Sequence, residues 1–357
     1  MLKNVRPGEE LSKEKVKSFL LENDLISDPK SELNVRQYAT GFSNLTYLLE
    51  IEDRDFVLRR PPKGAIKRGH DMGREYKVLS RLNRSFAKAP KAYVYTEDVE
   101  VIGAPFYLME KVEGIILTAT EAKKQEVTAP DFKKISDCWL DTFVELHQLD
   151  YQAIGLGDLG RPEGYVERQV RNWSKQYLKA ATEDIPEAAK VMTWLDENQP
   201  REYDHCLIHN DYKYDNVVFQ DNSWQSIRAV LDWEMCTLGD PLMDLGTSLA
   251  YRTSASDHPL LLKSLPPSAT QLPGNPSRTD LVEQYATKSG RSVDNLVFYY
   301  AYGLFKVAVI VQQIYYRYHH GMTSNEKFAK LNQVTRLFCT MAAESIERKQ
   351  IENIFFE

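Results

Sequence analysis

The sequence has few of the features that mark secreted, membrane-spanning or metal-clustered proteins. Its four cysteines are scattered, and no pair has CxxC spacing, so we expect reduced core thiols rather than disulfides or a zinc site. The longest apolar run, 298–311, has 14 residues and contains Lys306, which makes it too short to span a bilayer. The first ten residues lack the apolar segment of a secretion signal. These absences predict a soluble, cytoplasmic protein.

Basic residues are outnumbered by acidic ones, 45 to 51, which gives a net charge of −6. This balance argues against a nucleic acid or an anionic membrane as the partner. With 43% hydrophobic and 27% charged residues over 357 positions, the chain can bury a large core, and its length suits about two domains. We find no internal repeat and no low-complexity tract.

The composition changes along the chain, from strand-like to helical. Residues 45–51 and 56–60 predict two strands joined by a turn, and further strands are expected near 91–96 and 105–110. A helix is predicted over 71–83, where Glu75 has helical spacing to Val78, Leu79 and Leu82. Its carboxylate therefore projects from an apolar stripe, where a charge needs a partner.

Beyond residue 114 the patterns are mostly helical, with two short strands flanking loops in 204–234. Helices are predicted near 131–149, 163–180, 186–197, 277–320 and 325–349. The sequence thus indicates a small β-rich lobe, 1–111, followed by a larger helical lobe, 112–357.

The chemically most informative segment reads His209-x-Asp211-x-x-x-x-Asn216, and Asp232 follows an apolar run 16 residues later. This pattern favours phosphoryl transfer. One carboxylate accepts the proton of the attacking hydroxyl, and a carboxylate with an amide oxygen holds magnesium, which prefers oxygen ligands. We therefore interpret Asp211, Asn216 and Asp232 as functional, and we expect His209 to hold the loop by hydrogen bonds.

This segment resembles the catalytic loop of kinase-like phosphotransferases of the aminoglycoside phosphotransferase and choline kinase group. The same Asp-to-Asn spacing occurs in protein kinases, where Asp is the base and Asn a magnesium ligand. The resemblance implies an α+β, two-lobed, protein-kinase-like fold with a small antiparallel-sheet lobe. It also implies ATP and Mg²⁺ as cofactors, with Asp211 and His209 in the catalytic loop and Asn216 and Asp232 on the metal.

The resemblance extends to the N-terminal lobe. Gly41, Ser43 and Asn44 lie in a segment similar to this group's phosphate loop. Phe56-Val-Leu-Arg59-Arg60 is similar to the strand that carries the nucleotide-binding basic residue, and Glu75 lies where the group has its paired carboxylate. The segment with Glu110 and Val112 is similar to the hinge, where backbone groups bind adenine.

One departure concerns the basic residue, which is usually Lys but is Arg59 or Arg60 here. Arg can pair bidentately with phosphate oxygens and with a carboxylate, so function can survive the change. Successive residues of a strand point to opposite faces, so Arg59 shares one face with Val57, and Arg60 shares the other with Leu58. We choose Arg59 as the nucleotide-binding basic residue.

The helical lobe contains Leu146-His147-Gln-Leu-Asp150, then Tyr165-Val-Glu-Arg168-Gln169-Val-Arg171-Asn-Trp173, and later the segment from Phe305 to Arg317. These segments resemble the branch of this group whose kinase-like segment is also found fused to acyl-CoA dehydrogenase domains. That branch implies hydroxyacyl thioester substrates. Aromatic residues of the C-terminal helices either pack the core, which we favour, or line a substrate pocket. Arg252 and Arg317 either meet an anionic substrate group or are solvated, and we favour solvated. The C-terminal helices have no dense acidic cluster, which weakens an aminoglycoside as substrate.

We therefore predict an ATP- and Mg-dependent kinase that phosphorylates the hydroxyl of a small molecule, with a hydroxyacyl-CoA as one candidate. Aminoglycoside or amino-alcohol kinase activity is an alternative. A second class is a non-catalytic nucleotide-binding scaffold, which the missing Lys favours and the intact Asp211, Asn216 and Asp232 oppose. A protein kinase is a third, opposed by the absence of Asp-Phe-Gly and Ala-Pro-Glu segments. The oligomeric state stays open.

Overall fold

A computed structural model describes residues 2–38, 44–62, 71–323 and 325–355. The chain forms two compact units. The first unit comprises Met1–Glu113, Ile154–Leu156 and Arg228–Cys236, and the second unit comprises Gly114–Ala153, Gly157–Ile227 and Thr237–Glu357. Asp232 therefore belongs to the first unit, although it lies far beyond residue 111 in the chain.

The first unit is built on an antiparallel sheet whose described strands follow the order β1-β2-β3-β4-β6-β5. Its elements are β1 (Leu2–Lys3), α1 (Lys13–Glu22), β2 (Asn34–Tyr38), β3 (Leu45–Ile51), β4 (Arg54–Arg60), α2 (Met72–Leu82), β5 (Ala92–Thr96), α3 (Val99–Ile102) and β6 (Phe106–Glu110).

The side chains of β4 lie alternately on the two faces of this sheet. β4 pairs antiparallel with β3, from Leu45 opposite Arg60 to Ile51 opposite Arg54. Successive residues of a strand point to opposite faces of the sheet. Phe56 and Leu58 belong to a buried apolar cluster with residues of α1, whose Phe19 ring lies 4.9 Å from that of Phe106. The alternation leaves Arg59 on the other face.

Helix α2 begins after Asp71, whose side chain accepts a hydrogen bond from the Arg74 N–H at 3.0 Å and caps the helix. Its apolar stripe, Val78, Leu79 and Leu82, is buried. Glu75 lies on the same stripe and is only 2% exposed. The predicted helix is thus confirmed, as is the inward direction of its carboxylate.

The second unit is mostly helical. Its elements, together with β10, which crosses into the first unit's range, are β7 (Ile115–Ile116), α4 (Ala119–Lys124), α5 (Ala129–His147), α6 (Tyr165–Ala180), α7 (Pro186–Glu197), β8 (Cys206–Ile208), β9 (Val217–Phe219), β10 (Ile227–Val230), β11 (Thr237–Gly239), α8 (Pro241–Tyr251), α9 (Pro259–Ser264), α10 (Arg278–Ser289), α11 (Leu296–His319) and α12 (Leu331–Arg348). The predicted α+β class, with a small antiparallel sheet and a larger helical part, is confirmed.

Helix α11 is the central apolar helix of the second unit. By length and composition it is long and apolar enough to cross a membrane, but its most apolar stretch is 72% buried inside the protein. It packs so closely on α8 that only glycine fits at two positions of the contact. A Cβ at Gly246 would meet the backbone of Tyr299, and a Cβ at Gly303 would meet the backbone of Gly246. Packing against neighbouring helices thus accounts for its apolar sequence.

Candidate active site

Two short strands of the second unit place the His-x-Asp segment. β8 and β11 pair antiparallel, with Ile208 opposite Thr237 and Cys206 opposite Gly239. The chain leaves β8 directly into residues 209–216, which we call the catalytic loop. It leaves β11 into Asp240, whose carboxylate accepts from the Leu242 N–H at 2.8 Å and caps α8. One turn into α8, Asp244 therefore lies beside the start of the catalytic loop.

The Asp244 carboxylate is the hub of this loop. It is fully buried and accepts hydrogen bonds from the His209 N–H at 2.6 Å, the Asn210 N–H at 2.7 Å and the His147 ring at 3.2 Å. Burial alone would raise the pKa of Asp244, but these donors hold it below its ordinary value. Burial lowers the pKa of His147, so a neutral ring donates to an ionised carboxylate.

Lys306 holds the same loop from α11. Its ammonium donates to the Asn210 backbone oxygen at 3.0 Å and to the Asn210 side-chain oxygen at 3.2 Å. Asn210 has φ +67°, in the left-handed region that Asn tolerates better than most residues. Burial lowers the pKa of Lys306 to about 8, and the charges of Asp244 and Asp211 oppose that shift. A buried lysine thus stabilises the unusual backbone next to Asp211.

Asp211 is oriented from three sides. The Lys213 ammonium lies 2.9 and 3.0 Å from its two carboxylate oxygens, and the Asn216 amide nitrogen donates to one of them at 2.6 Å. The Asp211 N–H donates to His209 Nδ1 at 3.2 Å, which is the kind of loop-holding bond expected of His209. Because Asn216 uses its nitrogen for Asp211, its amide oxygen is left for another ligand.

In the first unit, Arg59 is surrounded by carboxylates. Its guanidinium forms a buried ion pair with Glu75 and lies 3.2 Å from an oxygen of Asp232 and 3.4 Å from one of Glu234. Burial acts to lower the pKa of Arg59, but these carboxylates raise it well above its ordinary value. Burial raises the pKa of Glu75, and Arg59 opposes that rise. The pairing of Arg59 with Glu75 is therefore observed, whereas its role toward phosphate stays a prediction.

The backbone at Asp232 is as unusual as that at Asn210. Asp232 has φ +65° and precedes the short helix Trp233–Met235, which is held by a bond from the Trp233 ring N–H to the Val230 oxygen at 2.8 Å. Left-handed non-glycine residues cost free energy and concentrate at functional sites. The Asp232 side chain is 36% exposed, and its carboxylate therefore contacts both Arg59 and solvent.

The remaining predicted residues are placed as follows. Gly41 and Ser43 lie outside the described residues. The Asn44 amide donates to Glu234 at 2.8 Å. The Glu110 N–H donates to the Lys91 oxygen at 2.9 Å at the end of β6, and Val112 follows two residues later. Nothing in these contacts tests the predicted nucleotide-binding roles, which stay predictions.

Four further residues of these clusters were not assigned from the sequence: Lys213, Glu234, Asp244 and Lys306. Each had a visible signal. Lys213 lies inside the motif, Glu234 follows Asp232 by two residues, and Asp244 follows a Gly-Asp-Pro turn. Lys306 is the one charge in the 14-residue apolar run 298–311, where a buried ammonium needs hydrogen-bond acceptors.

A stability measurement tests the Arg59–Glu75 pair. Arg59→Ala leaves the Glu75 carboxylate buried and uncompensated, which should lower the free energy of unfolding by about 3–5 kcal/mol. Arg60→Ala is the matched control, because among the described residues Arg60 donates to the Ile102 oxygen, at 3.0 Å, and lies over the Tyr47 ring, and it forms no ion pair there. Urea unfolding should show a clearly larger loss for Arg59→Ala. Equal losses would contradict the observed pairing.

Comparison with known proteins shows the family of this chain. The profile of the phosphotransferase enzyme family (APH) matches residues 34–264, and the chain belongs to this family. Membership of this family and its kinase-like fold are what the sequence resemblance predicted.

Individual relatives show how far the likeness extends. Acyl-CoA dehydrogenase family member 11 of Gallus gallus is 37% identical over 85% of this chain, which spans 39% of that protein's length. A putative aminoglycoside phosphotransferase from Ralstonia eutropha has a TM-score of 0.78 at 29% identity, covering 95% of this chain and 99% of its own. Aminoglycoside phosphotransferase APH(4)-Ia, in a ternary complex with AMP-PNP and hygromycin B, has a TM-score of 0.58 at 14% identity, covering 93% and 98%, and shows the fold alone.

Proposed function

We propose that this protein transfers the γ-phosphate of ATP to a hydroxyl of a small molecule. The observation that carries the proposal is the catalytic loop, in which Asp211 is fixed by Lys213 and Asn216 while 14% of its side chain stays exposed. A carboxylate held this way can accept the proton of an attacking hydroxyl as the phosphoryl group is transferred. The nucleotide is supported by the complex of the fold neighbour APH(4)-Ia with AMP-PNP.

The residues of the first unit suit a phosphate-binding role. Arg59 presents a permanently charged, planar guanidinium, which suits the α- and β-phosphates of ATP. Glu75 fixes its position by the buried ion pair. Asn44 belongs to the segment proposed to cover the β- and γ-phosphates, together with Gly41 and Ser43. Backbone groups at Glu110 and Val112 are proposed to bind adenine.

Magnesium fits the donor atoms present. Asn216 offers an amide oxygen and Asp232 a partly exposed carboxylate, and Mg²⁺ is typically bound by one or two protein ligands, with waters and substrate phosphates completing the octahedron. Within 2–38, 44–62, 71–323 and 325–355, no group of three or more His, Cys, Asp or Glu side chains is arranged to hold a metal by itself. A bound magnesium would neutralise charge on the phosphates during transfer.

Substitution at Asp232 tests the metal assignment. ATP affinity of the wild type should rise on adding magnesium, and Asp232→Asn should lose most of that gain because an anionic ligand is removed. Calorimetric titration of ATP with and without magnesium gives the comparison. Asp53→Asn, which removes a carboxylate from the exposed β3–β4 turn, should behave as wild type. The same magnesium-dependent gain in Asp232→Asn would remove the assignment.

The comparisons support two classes of acceptor. Similarity to acyl-CoA dehydrogenase family member 11 supports a hydroxyacyl thioester, whereas the name of the Ralstonia eutropha neighbour supports an aminoglycoside. A panel of hydroxyacyl-CoAs, hydroxy acids, amino alcohols and amino sugars, scored by ATP-dependent mass gain, decides between them. No product from any member, with MgATP binding intact, would favour the scaffold alternative.

We also propose that the protein works in the cytoplasm, without nucleic acid or membrane as partner. The net charge of −6 and four free cysteines support this placement.

A further inference from the structure

A small cavity of about 40 Å³ adjoins the catalytic loop within the second unit. Lys213 lines it, and the same ammonium contacts both carboxylate oxygens of Asp211. At roughly 10–15 Å³ for one water, the space holds about three water-sized groups, which matches the head of a carboxylate or a small phosphate group. The cavity therefore lies where a molecule whose hydroxyl loses its proton to Asp211 would place a neighbouring group.

Arg252 gives this cavity an uncompensated positive charge. Its side chain is only 6% exposed, so the expectation that it is solvated is wrong, while Arg317 is exposed as expected. Within the described chain, the Arg252 guanidinium donates to neutral oxygens, at 3.1 Å to the Asn275 side chain and 2.9 Å to the Pro276 backbone, and stacks on Tyr214. No carboxylate of the described residues forms an ion pair with it. A buried charge of this kind is costly unless an anion pairs with it.

A second lining residue also lacks a partner. The Ser248 hydroxyl is buried, and it has no hydrogen-bond partner among the described residues. Native proteins rarely leave such a group unsatisfied, and a ligand is one way to satisfy it.

The other charges around the cavity do not replace that ligand. Asp215 is the acidic residue of the lining, and it is exposed to solvent. Lys213 pairs with Asp211, and no acidic group of the described residues pairs with Arg252.

We propose that this cavity receives a small oxyanion group, a carboxylate or a phosphate, carried by the phosphate acceptor. The inference rests on the proposed function, because it assigns the cavity to the molecule that Asp211 deprotonates. It narrows the acceptor to compounds with a negative group, which excludes polycationic amino sugars. Arg252 and Ser248 are then specificity residues, and Lys213 joins their cavity to the reacting hydroxyl.

The experiment measures binding by calorimetry, which does not require turnover. The first pair of probes tests a carboxylate: short hydroxyalkanoates, which are anionic, against their neutral primary amides. The second pair tests the phosphates of CoA: hydroxyacyl-CoAs against the same acyl groups on neutral N-acetylcysteamine. In wild type, at least one anionic member should bind roughly tenfold or more tightly than its neutral partner, as loss of a hydrogen bond to a charged group implies. Which pair discriminates identifies the source of the oxyanion.

Three variants decide whether the cavity is responsible. Arg252→Gln should abolish the preference for the anionic probe, whereas Arg317→Gln, which removes an exposed arginine of the same unit, should keep it. Ser248→Ala should weaken binding of that probe without loss of thermal stability, since it deletes a buried, unpaired hydroxyl. If Arg252→Gln fails to fold, binding of the anionic probe by Ser248→Ala decides the test instead.

Two results would overturn the inference: equal binding of anionic and neutral probes by wild type, including no binding of either, or an unchanged preference in Arg252→Gln. Should Arg252→Gln fail to fold, unchanged binding of the anionic probe by Ser248→Ala would overturn it. MgATP binding and hydrolysis, measured on wild type in parallel, report separately on the proposed function. Their absence would refute the kinase proposal even where the cavity binds an anion.

Discussion

Replacing Asp211 with Asn is expected to lower kcat by about 10²–10⁴-fold, the contribution of a positioned general base. Asn is nearly isosteric but cannot accept the proton of the attacking hydroxyl. MgATP affinity should change little, because the proposed metal ligands are Asn216 and Asp232. Thermal stability should stay close to wild type, because the lost ion pair involves Lys213, which is 32% exposed. Steady-state kinetics and calorimetry on one preparation give all three quantities.

This result separates an enzyme from a scaffold. An enzyme shows turnover that collapses in Asp211→Asn while MgATP binding persists, and a scaffold has no turnover to lose. Until an acceptor is known, slow hydrolysis of ATP by water serves as the assay. Asp196→Asn, near the C-terminal end of α7, is the matched control and should keep wild-type rates. Hydrolysis that is measurable and equal in wild type and Asp211→Asn would show that Asp211 is not the base for water.

Replacing Asp244 with Ala is expected to lower the free energy of unfolding strongly. The substitution leaves the His209 and Asn210 N–H groups and the His147 ring buried without their common acceptor. Each buried donor left without an acceptor costs about 1–3 kcal/mol, so losing the acceptor of three donors removes a large share of the stability of an ordinary domain. Urea unfolding of the full chain measures the loss.

Ser248→Ala, one helical turn further along α8, is the control for the Asp244 experiment. It removes a buried side-chain oxygen from the same helix, but one with no hydrogen-bond partner among the described residues. Its free energy of unfolding should equal or exceed that of wild type. A loss in Ser248→Ala as large as that in Asp244→Ala would mean that α8 tolerates no truncation, and the hub assignment would fall.

Local patterns in the sequence predicted the elements and the direction of their side chains. The spacing from Glu75 to Leu82 defined helix α2 and the buried face of its carboxylate, and strand alternation distinguished Arg59 from Arg60. Such predictions succeed because neighbours in one helix or strand share a face by geometry alone. Helix α1 was missed, since at ten residues it carries only a short apolar pattern of Val16, Phe19 and Leu20.

Contacts between distant segments were not predictable in this way. Asp244 meets His147 across 97 positions, and Lys306 meets Asn210 across 96. Pairing of β8 with β11 and close packing of α8 on α11 bring these groups together, and neither follows from the periodicity of a single segment. The burial of Arg252 was misjudged for the same reason, because Asn275 and Pro276, which enclose it, lie more than twenty residues away.

The arginine at position 59 has a practical consequence for chemical labelling. Reagents that acylate or sulfonylate a nucleotide-site lysine need a neutral amine, which a lysine can supply by losing its proton. The Arg59 guanidinium, whose pKa its carboxylate neighbours hold well above the ordinary value, stays protonated and is no nucleophile. A lysine-directed reagent therefore does not modify residue 59. Surveys that detect kinases by modification of the nucleotide-site lysine will not label this position in this protein.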